Sequence, residues 1–227
     1  MSFIVKNTTL INPLDLIAPH SCRGCGSLGD PLCKCCKKYI INNHINICPN
    51  CKTKIKHNKC PNCKNLPPTY TIGFREGLLN KLIHDYKYQP TRALGKTFAH
   101  LLDSILPNIN DAILVPLPTA TNHIRSRGFD HTYLIAKHLA RLRKYKVKKL
   151  LLRTKNTVQV GSDKKTRFLQ AENAFTINHT IKSSHQSTYI LFDDVWTTGA
   201  SMKTAIKKLK EANIKNIVVV LLAVSRI

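Results

Sequence analysis

The sequence predicts an α/β protein with a largely parallel sheet, preceded by a small cysteine-rich module. Three observations lead to this prediction. All nine cysteines lie between residues 22 and 63. After residue 68, segments with a helical spacing of apolar residues alternate with short apolar runs, which is the pattern of helices that connect parallel strands. One of these runs ends in two adjacent aspartates, followed by a loop of threonine and glycine.

The division into two units follows from length and composition. A chain of 227 residues allows one ordinary hydrophobic core and one small additional module, since a second full domain would need more residues. No cysteine occurs after Cys63, and Pro67 and Pro68 follow shortly after it. Consecutive prolines favour an extended backbone that can connect two units. We therefore expect a cysteine-rich domain at residues 1–68 and an α/β domain at residues 69–227.

Eight of the cysteines form four Cys-x-x-Cys pairs, a spacing that lets one tight turn present two thiolates to the same tetrahedral ion. The simplest grouping is two successive zinc ribbons, with Cys22, Cys25, Cys33 and Cys36 in the first and Cys48, Cys51, Cys60 and Cys63 in the second. A crossed pairing, disulfides and an iron–sulfur cluster are the alternatives, and Cys35 competes with Cys36. Zinc closed in by four cysteines has no open coordination position, so we expect it to be structural.

The α/β domain shows three amphipathic helices before its last third. Their predicted buried faces are Leu78, Leu79, Leu82, Ile83 and Tyr86; Leu94, Phe98, Leu101, Leu102 and Ile105; and Leu134, Ile135, His138, Leu139 and Leu142. Apolar runs predict strands at residues 112–117, 147–152, 189–192 and 217–224, with a helix at 201–212 between the last two. The polar segment 154–167 is too long for a simple connector in a compact domain, so we predict an active-site loop there.

Charge is the strongest signal in the composition. Lysine and arginine number 36 against 12 aspartates and glutamates, which gives a net charge of +24. Two zinc ions bound by eight thiolates would lower this value to about +20. Such an excess attracts phosphate polyanions without any base-specific contact. It favours nucleic acid or a phosphorylated ligand as partner, and the alternative is the general excess of a lysine-rich proteome.

The segment with the most chemical information covers residues 190–201, Ile-Leu-Phe-Asp-Asp-Val-Trp-Thr-Thr-Gly-Ala-Ser. The apolar strand ends in Asp193 and Asp194, and a loop of small residues at 197–199 then opens a helix. Free amides at a helix N-terminus bind phosphate, and glycine lets the phosphate approach closely. Acids at a strand end can accept hydrogen bonds from sugar hydroxyls. The alternative, a polar strand end beside an ordinary helix cap, explains each residue but not the combination.

This segment resembles the phosphoribosyl pyrophosphate signature of type I phosphoribosyltransferases, an apolar strand followed by Asp-Asp, an apolar residue, any residue and Thr-Thr-Gly. The rest of the chain narrows the resemblance to the ComF family, whose double zinc ribbon is similar to the four cysteine pairs. Further similarities are Tyr86-Lys87-Tyr88, Val115-Pro116-Leu117-Pro118, Gln159, Arg167, Ala174 and Phe175. Arg127-Gly128-Phe129-Asp130-His131 stands where the family typically has Arg-Gly-Phe-Asn-Gln.

The resemblance implies a type I phosphoribosyltransferase-like fold and a role for each matching residue. It assigns the ribose hydroxyls to Asp193 and Asp194, the ribose phosphate to Thr197, Thr198, Gly199 and Ser201, and the pyrophosphate to Val115, Pro116, Leu117 and Lys87. Two basic residues close to the pyrophosphate segment, Arg125 and Arg127, could add positive charge. Magnesium would bridge the pyrophosphate and the ribose, because it prefers ligand oxygens and water to a full protein cage.

By the same resemblance, the chain would be a ComF-type competence protein that binds phosphoribosyl pyrophosphate and single-stranded DNA and acts with DNA-uptake machinery proteins in natural transformation. The alternative is an active type I phosphoribosyltransferase, a pentosyltransferase, with an unidentified acceptor. No segment approaches the run of about 18 apolar residues that spans a bilayer, and the N-terminus lacks the pattern of an export signal. We therefore expect no membrane insertion and a cytoplasmic location.

Overall fold

The computed structural model of the chain describes residues 20–56, 58–89, 91–154, 174–179 and 186–226. Within these ranges the helices are α1 (Lys34–Asn42), α2 (Gly77–Tyr88), α3 (Leu94–Ile105), α4 (Thr121–Arg127), α5 (His131–Arg143) and α6 (Ala200–Glu211). The strands are β1 (Thr69–Phe74), β2 (Ala112–Pro116), β3 (Lys146–Val147), β4 (Leu151–Arg153), β5 (Phe175–Ile177), β6 (Thr188–Trp196) and β7 (Ile217–Val224). No helix in these parts of the chain is long and apolar enough to cross a membrane.

Five strands form one sheet in the order β1-β7-β6-β2-β3, and every neighbouring pair is parallel. Strands β4 and β5 pair separately as an antiparallel ribbon. The prediction of an α/β fold with a largely parallel sheet is therefore confirmed. Because the strands are parallel, the C-terminal ends of β2, β6 and β7 meet at one edge, and this is the edge where open α/β sheets bind ligands.

Both faces of the sheet are covered by apolar layers. In the central strand β6, Ile190 and Phe192 pack in the layer that contains helices α2, α3 and α5, whereas Tyr189 and Leu191 pack in the layer that contains α6. Each of these four side chains is at most 1% exposed. A strand that is buried on both faces appears in a sequence as a continuous apolar run, which explains why the apolar run at 189–192 predicts it.

The cysteine-rich segment packs directly on the α/β core. Leu32 and Ile40 belong to the same apolar cluster as the buried face of α2. The second half of the segment has a small apolar cluster of its own, in which Ile55 is buried with Cys48 and Cys60. Unfolding the first half would therefore expose part of the α/β core, whereas the second half has its own cluster and meets the α6 side of the core through Leu66.

The structure corrects two predicted details. The strand predicted at 147–152 is wrong, because the chain makes only two residues of β3 at the sheet edge and then turns so that Leu150 and Leu151 pack against the α6 side of the sheet. Leu142 was predicted on the buried face of α5 but is 42% exposed. That face follows residues 131, 132, 135, 136, 139 and 140, a repeat of four that leaves residue 142 at the side of the helix.

Candidate functional site

The eight paired cysteines form two groups of four: Cys22, Cys25, Cys33 and Cys36, and Cys48, Cys51, Cys60 and Cys63. In each group the sulfur atoms all lie within 4.8 Å of one another. A tetrahedron of sulfurs bonded to zinc at about 2.3 Å has edges of about 3.8 Å. Each group could therefore hold a zinc ion. The structure thus brings the sulfur atoms together in the sequential grouping and not in the crossed one.

Backbone amides surround the sulfur atoms of the first group. The amides of Gly24 and Cys33 donate to Cys22 Sγ at 3.4 and 3.3 Å, and the amide of Cys36 donates to Cys33 Sγ at 3.5 Å. None of the nine cysteines is in a disulfide. Cys35 is exposed and outside both groups, because residues three apart share a helix face and residues two apart do not. Cys36, and not Cys35, therefore completes the first group.

The second candidate site lies at the C-terminal edge of the sheet, where β6 ends in Asp193 and Asp194. Asp194 is only 6% exposed, and its Oδ2 accepts hydrogen bonds from Lys87 Nζ at 2.6 Å and from His131 Nε2 at 2.9 Å. Lys87 is near the end of α2, and His131 begins α5. The side chain of Asp194 thus ties β6 to two helices that pack on one face of the sheet.

The contacts of His131 define which ring nitrogen faces which partner. Arg127 Nη1 lies 3.0 Å from His131 Nδ1, and a guanidinium group can only donate. The Nδ1 atom is therefore the acceptor, and the proton is on Nε2, which donates to Asp194. Tyr86 fixes the same residue from the other side, since its hydroxyl donates to the His131 carbonyl oxygen at 3.0 Å. His131 positions the carboxylate of Asp194 through this hydrogen bond, and Lys87 supplies a positive charge beside it.

The two acids have opposite electrostatic environments. Burial raises the pKa of Asp193 to about 8, and the neighbouring charge of Asp194 adds to this effect. Burial acts in the same direction on Asp194, but the hydrogen bond from His131 and the charge of Lys87 outweigh it and hold the pKa of Asp194 below its usual range. Of the two acids, Asp194 is therefore the one held in its charged form, whereas the charged form of Asp193 is disfavoured. A positively charged ligand group would favour ionisation of Asp193.

Asp130, where the ComF pattern has asparagine, is a helix cap. Its Oδ1 accepts hydrogen bonds from the backbone amide of Tyr133 at 3.1 Å and from the hydroxyls of Thr119 and Thr132 at 2.9 and 3.0 Å. Asparagine and aspartate are both strong N-cap residues. The carboxylate at position 130 is therefore accounted for by the start of α5.

The loop after β6 leads into α6 through a glycine with a left-handed backbone conformation. Gly199 has a φ of +79° and immediately precedes α6, whose first amides have no intrahelical acceptor. A Cβ atom at residue 199 would collide with the ring of Trp196, which is buried beneath the loop. The Thr198 hydroxyl accepts from the amide of Ala200 at 3.4 Å. Both the backbone conformation and the close ring contact require glycine at this position.

A cavity of about 240 Å³ brings many of the predicted ligand residues together: Lys87, Leu117, Arg127, Asp193, Asp194 and Ser201. A second cavity of about 50 Å³ shares two of them and is lined also by Thr197, Thr198 and Gly199. The other three predicted residues are not in either lining. Val115 and Pro116 are buried inside β2, and Arg125 is exposed on α4.

The residues after β2 line the larger cavity in place of Val115 and Pro116. Thr119 and Ala120 lie in its wall, whereas the amide of Leu117 donates to the Phe192 carbonyl oxygen at 2.8 Å and is already satisfied. The cavity also includes residues that the sequence patterns did not assign to it, namely His123, His131 and Arg153. The active-site loop predicted at 154–167, with Gln159 and Arg167, lies outside the described residues except for Thr154.

Comparisons with known proteins give matches only among solved structures. No family model matches the chain, and no curated protein sequence matches it either. Among solved structures, the chain is similar to a hypoxanthine phosphoribosyltransferase from Staphylococcus aureus, with 12% sequence identity and a TM-score of 0.33. The aligned part covers 60% of this chain and 64% of that chain. The chain thus matches somewhat less than two thirds of the length of that protein.

Proposed function

We propose that the chain is a ComF-type protein that binds phosphoribosyl pyrophosphate with magnesium on a type I phosphoribosyltransferase-like domain and binds single-stranded DNA during DNA uptake. The observation that carries this proposal is the arrangement at the end of β6. An acid pair, a basic residue from α2 and a glycine-containing helix entry line two cavities that share Asp193 and Ser201, at the edge where parallel sheets bind ligands.

The proposed ligand places one chemical group on each part of this arrangement. The ribose phosphate binds the loop at Thr197–Ser201, where helix amides and hydroxyls are donors. The ribose hydroxyls bind the acids, and the pyrophosphate lies toward Lys87 and Arg127, which line the same cavity. This division agrees with the chemistry of each group, since the anionic ends meet donors and the neutral hydroxyls meet acceptors.

Magnesium fits the site through Asp193. This carboxyl is half-buried, lines both cavities and makes no ion pair with any residue that the structure describes. Mg²⁺ binds one or two carboxylates together with ligand phosphates and water. A carboxyl group with a raised pKa and no positive partner gains a partner when a magnesium complex binds. We therefore expect the affinity for the magnesium complex to rise with pH through about 8, the pKa of Asp193, and to level off above it.

The DNA part of the proposal is supported by charge. The net charge of +24 favours any phosphate backbone, and the two cysteine groups would fold a small module that carries exposed lysines such as Lys34, Lys38 and Lys59.

We further propose the division into residues 1–68 and 69–227 and a cytoplasmic site of action. In this proposal the chain is a DNA-handling factor that is regulated when it binds phosphoribosyl pyrophosphate. Its protein partners are other proteins of the uptake machinery.

One titration tests this proposal. Phosphoribosyl pyrophosphate with magnesium is added to the protein while the fluorescence of Trp196, the single tryptophan, is recorded, and the titration is repeated with an oligothymidylate present. We expect a saturable change, because Trp196 lies directly beneath the loop, and we expect DNA binding to weaken steeply with salt. No saturation at any pH would contradict ligand binding. Release of pyrophosphate with an added acceptor would show that the chain is an active transferase instead.

A further inference from the structure

A third cavity lies along α6. Its volume is about 690 Å³, and it is formed between the second cysteine group and the outer face of α6. Lys64 lines it from the cysteine-rich segment, and Lys203, Lys207 and Lys210 line it from the helix. We refer to this region as the lysine groove. It shares no lining residue with the cavities at the end of β6.

The groove is strongly basic. Glu211 is the acidic residue in its lining, and its carboxylate is paired with Lys208 Nζ at 3.1 Å. The three lysines of α6 follow the spacing i, i+4 and i+7, so they form a row about 10 Å long on one face of the helix. Lys64, Lys203 and Lys210 are all exposed. A row of cations of this kind matches a chain of negative charges better than a single anion.

The lining is also partly apolar, because it includes Leu66 from the cysteine-rich segment and Ile206 from α6. Asn50, Asn62 and Asn65 add amide groups that both donate and accept hydrogen bonds. A single nucleic-acid strand offers phosphates to the lysines and unpaired bases to the apolar and amide surface. A duplex offers its phosphates and groove edges but not the faces of its bases, which are stacked.

We propose that the lysine groove between the second cysteine group and α6 is the binding site for single-stranded nucleic acid. This inference rests on the DNA binding in the proposed function and assigns it to a definite surface. The same helix begins at the phosphate-binding loop and carries the groove lysines, so both ligands would contact α6 at different turns.

The test compares two triple variants with equal charge. The groove variant is Lys64→Gln, Lys203→Gln and Lys210→Gln. The control variant is Lys81→Gln, Lys96→Gln and Lys137→Gln, which changes three exposed lysines on helices α2, α3 and α5, on the opposite face of the sheet. Binding of a fluorescein-labelled oligothymidylate is measured by anisotropy over a range of salt concentrations, and polyglutamate and a duplex of equal length serve as competitors.

In the groove variant the slope of log association constant against log salt concentration should become less steep by about 2, because each phosphate contact of a single strand contributes about 0.7 and three lysines are removed. The control variant should keep the wild-type slope, and the duplex should compete weakly. Equal slopes for the two variants would show that the lysine groove is not the DNA-binding site, although the protein would still bind DNA. Displacement by polyglutamate as effective as by the oligonucleotide would assign the groove to acidic proteins and overturn the proposal. A wild-type protein that binds no oligonucleotide but still binds phosphoribosyl pyrophosphate would remove both the groove and the DNA part of the proposed function.

Discussion

Cys22→Ser is expected to release one of two zinc ions per chain and to destabilise the α/β domain together with the cysteine-rich segment. Cys22 is 3% exposed and belongs to the same apolar cluster as Leu32, Ile40 and the buried face of α2. Structural zinc contributes roughly 10 to 16 kcal/mol to the folding of isolated zinc-finger peptides. Loss of the first metal should therefore unfold the segment around it and expose the apolar side chains that it buries on the core.

Two matched variants make this prediction specific. Cys60→Ser removes a ligand of the second group, whose apolar cluster is separate, so it should also lose one zinc ion but lower the melting temperature of the α/β domain less. Cys35→Ser changes an exposed cysteine outside both groups and should keep both ions. Metal content is measured by elemental analysis, and unfolding of the α/β domain is followed by Trp196 fluorescence. Loss of zinc in Cys35→Ser, or iron in place of zinc in the wild type, would contradict the assignment.

Opposite effects on stability are expected from Asp194→Asn and Asp193→Asn. Asp194 is the common acceptor of Lys87 and His131 in a buried position. Its removal leaves the Lys87 ammonium, whose side chain is 16% exposed, without its ion-pair partner. Breaking a fully buried pair in this way costs about 3 kcal/mol or more, so we expect a destabilisation below that limit. Asp193 has no such partner among the described residues, and its charge is opposed by burial and by Asp194. Removing its charge should stabilise the unliganded protein.

The pH dependence of the two variants separates these effects. A carboxyl with a raised pKa makes folding less favourable as pH increases from its unfolded value, about 3.9, to its folded value, about 8. The gain in stability of Asp193→Asn over the wild type should therefore be absent at acid pH, grow as pH rises from about 3.9 to about 8, and level off above that. The stability that Asp194 provides is present above about pH 3.9 and is lost as pH falls through its lowered pKa. Thermal unfolding at several pH values checks both trends, and equal shifts for the two variants would contradict the assigned roles.

Several features of the fold could be predicted because they follow from local sequence. The strands β6 and β7 are buried on both faces and appear as continuous apolar runs. The cysteine groups follow from their spacing alone. Strand β1 was not predicted, since threonine and glycine interrupt its apolar residues even though it is paired along β7. The boundary near Pro68 stays a prediction.

The acid pair illustrates what local sequence could not provide. A sequence motif does not distinguish the adjacent residues Asp193 and Asp194, so it assigns both to the ribose hydroxyls. The structure distinguishes them through contacts with Lys87 and His131, which are far apart in the chain and meet only after the helices pack on the sheet. The histidine was visible in the sequence as a departure from the ComF pattern, but its partner depends on the tertiary fold. The tie between Lys87 and Asp194 also means that a bound pyrophosphate must share Lys87 with the acid.

The central claim is that Asp193 and the loop at Thr197–Ser201 bind phosphoribosyl pyrophosphate. Its most direct test is calorimetric titration of this compound with magnesium into the wild type, Asp193→Asn and the control Asp30→Asn, which changes an exposed acid outside the cavities. A charge-assisted hydrogen bond contributes about 1.5 to 3 kcal/mol against about 1 for a neutral one, so Asp193→Asn should weaken binding by about tenfold. Asp30→Asn should bind like the wild type. If Asp193→Asn binds as tightly as the wild type, or if the wild type does not bind at all, the acid pair is not a sugar site and the claim is wrong.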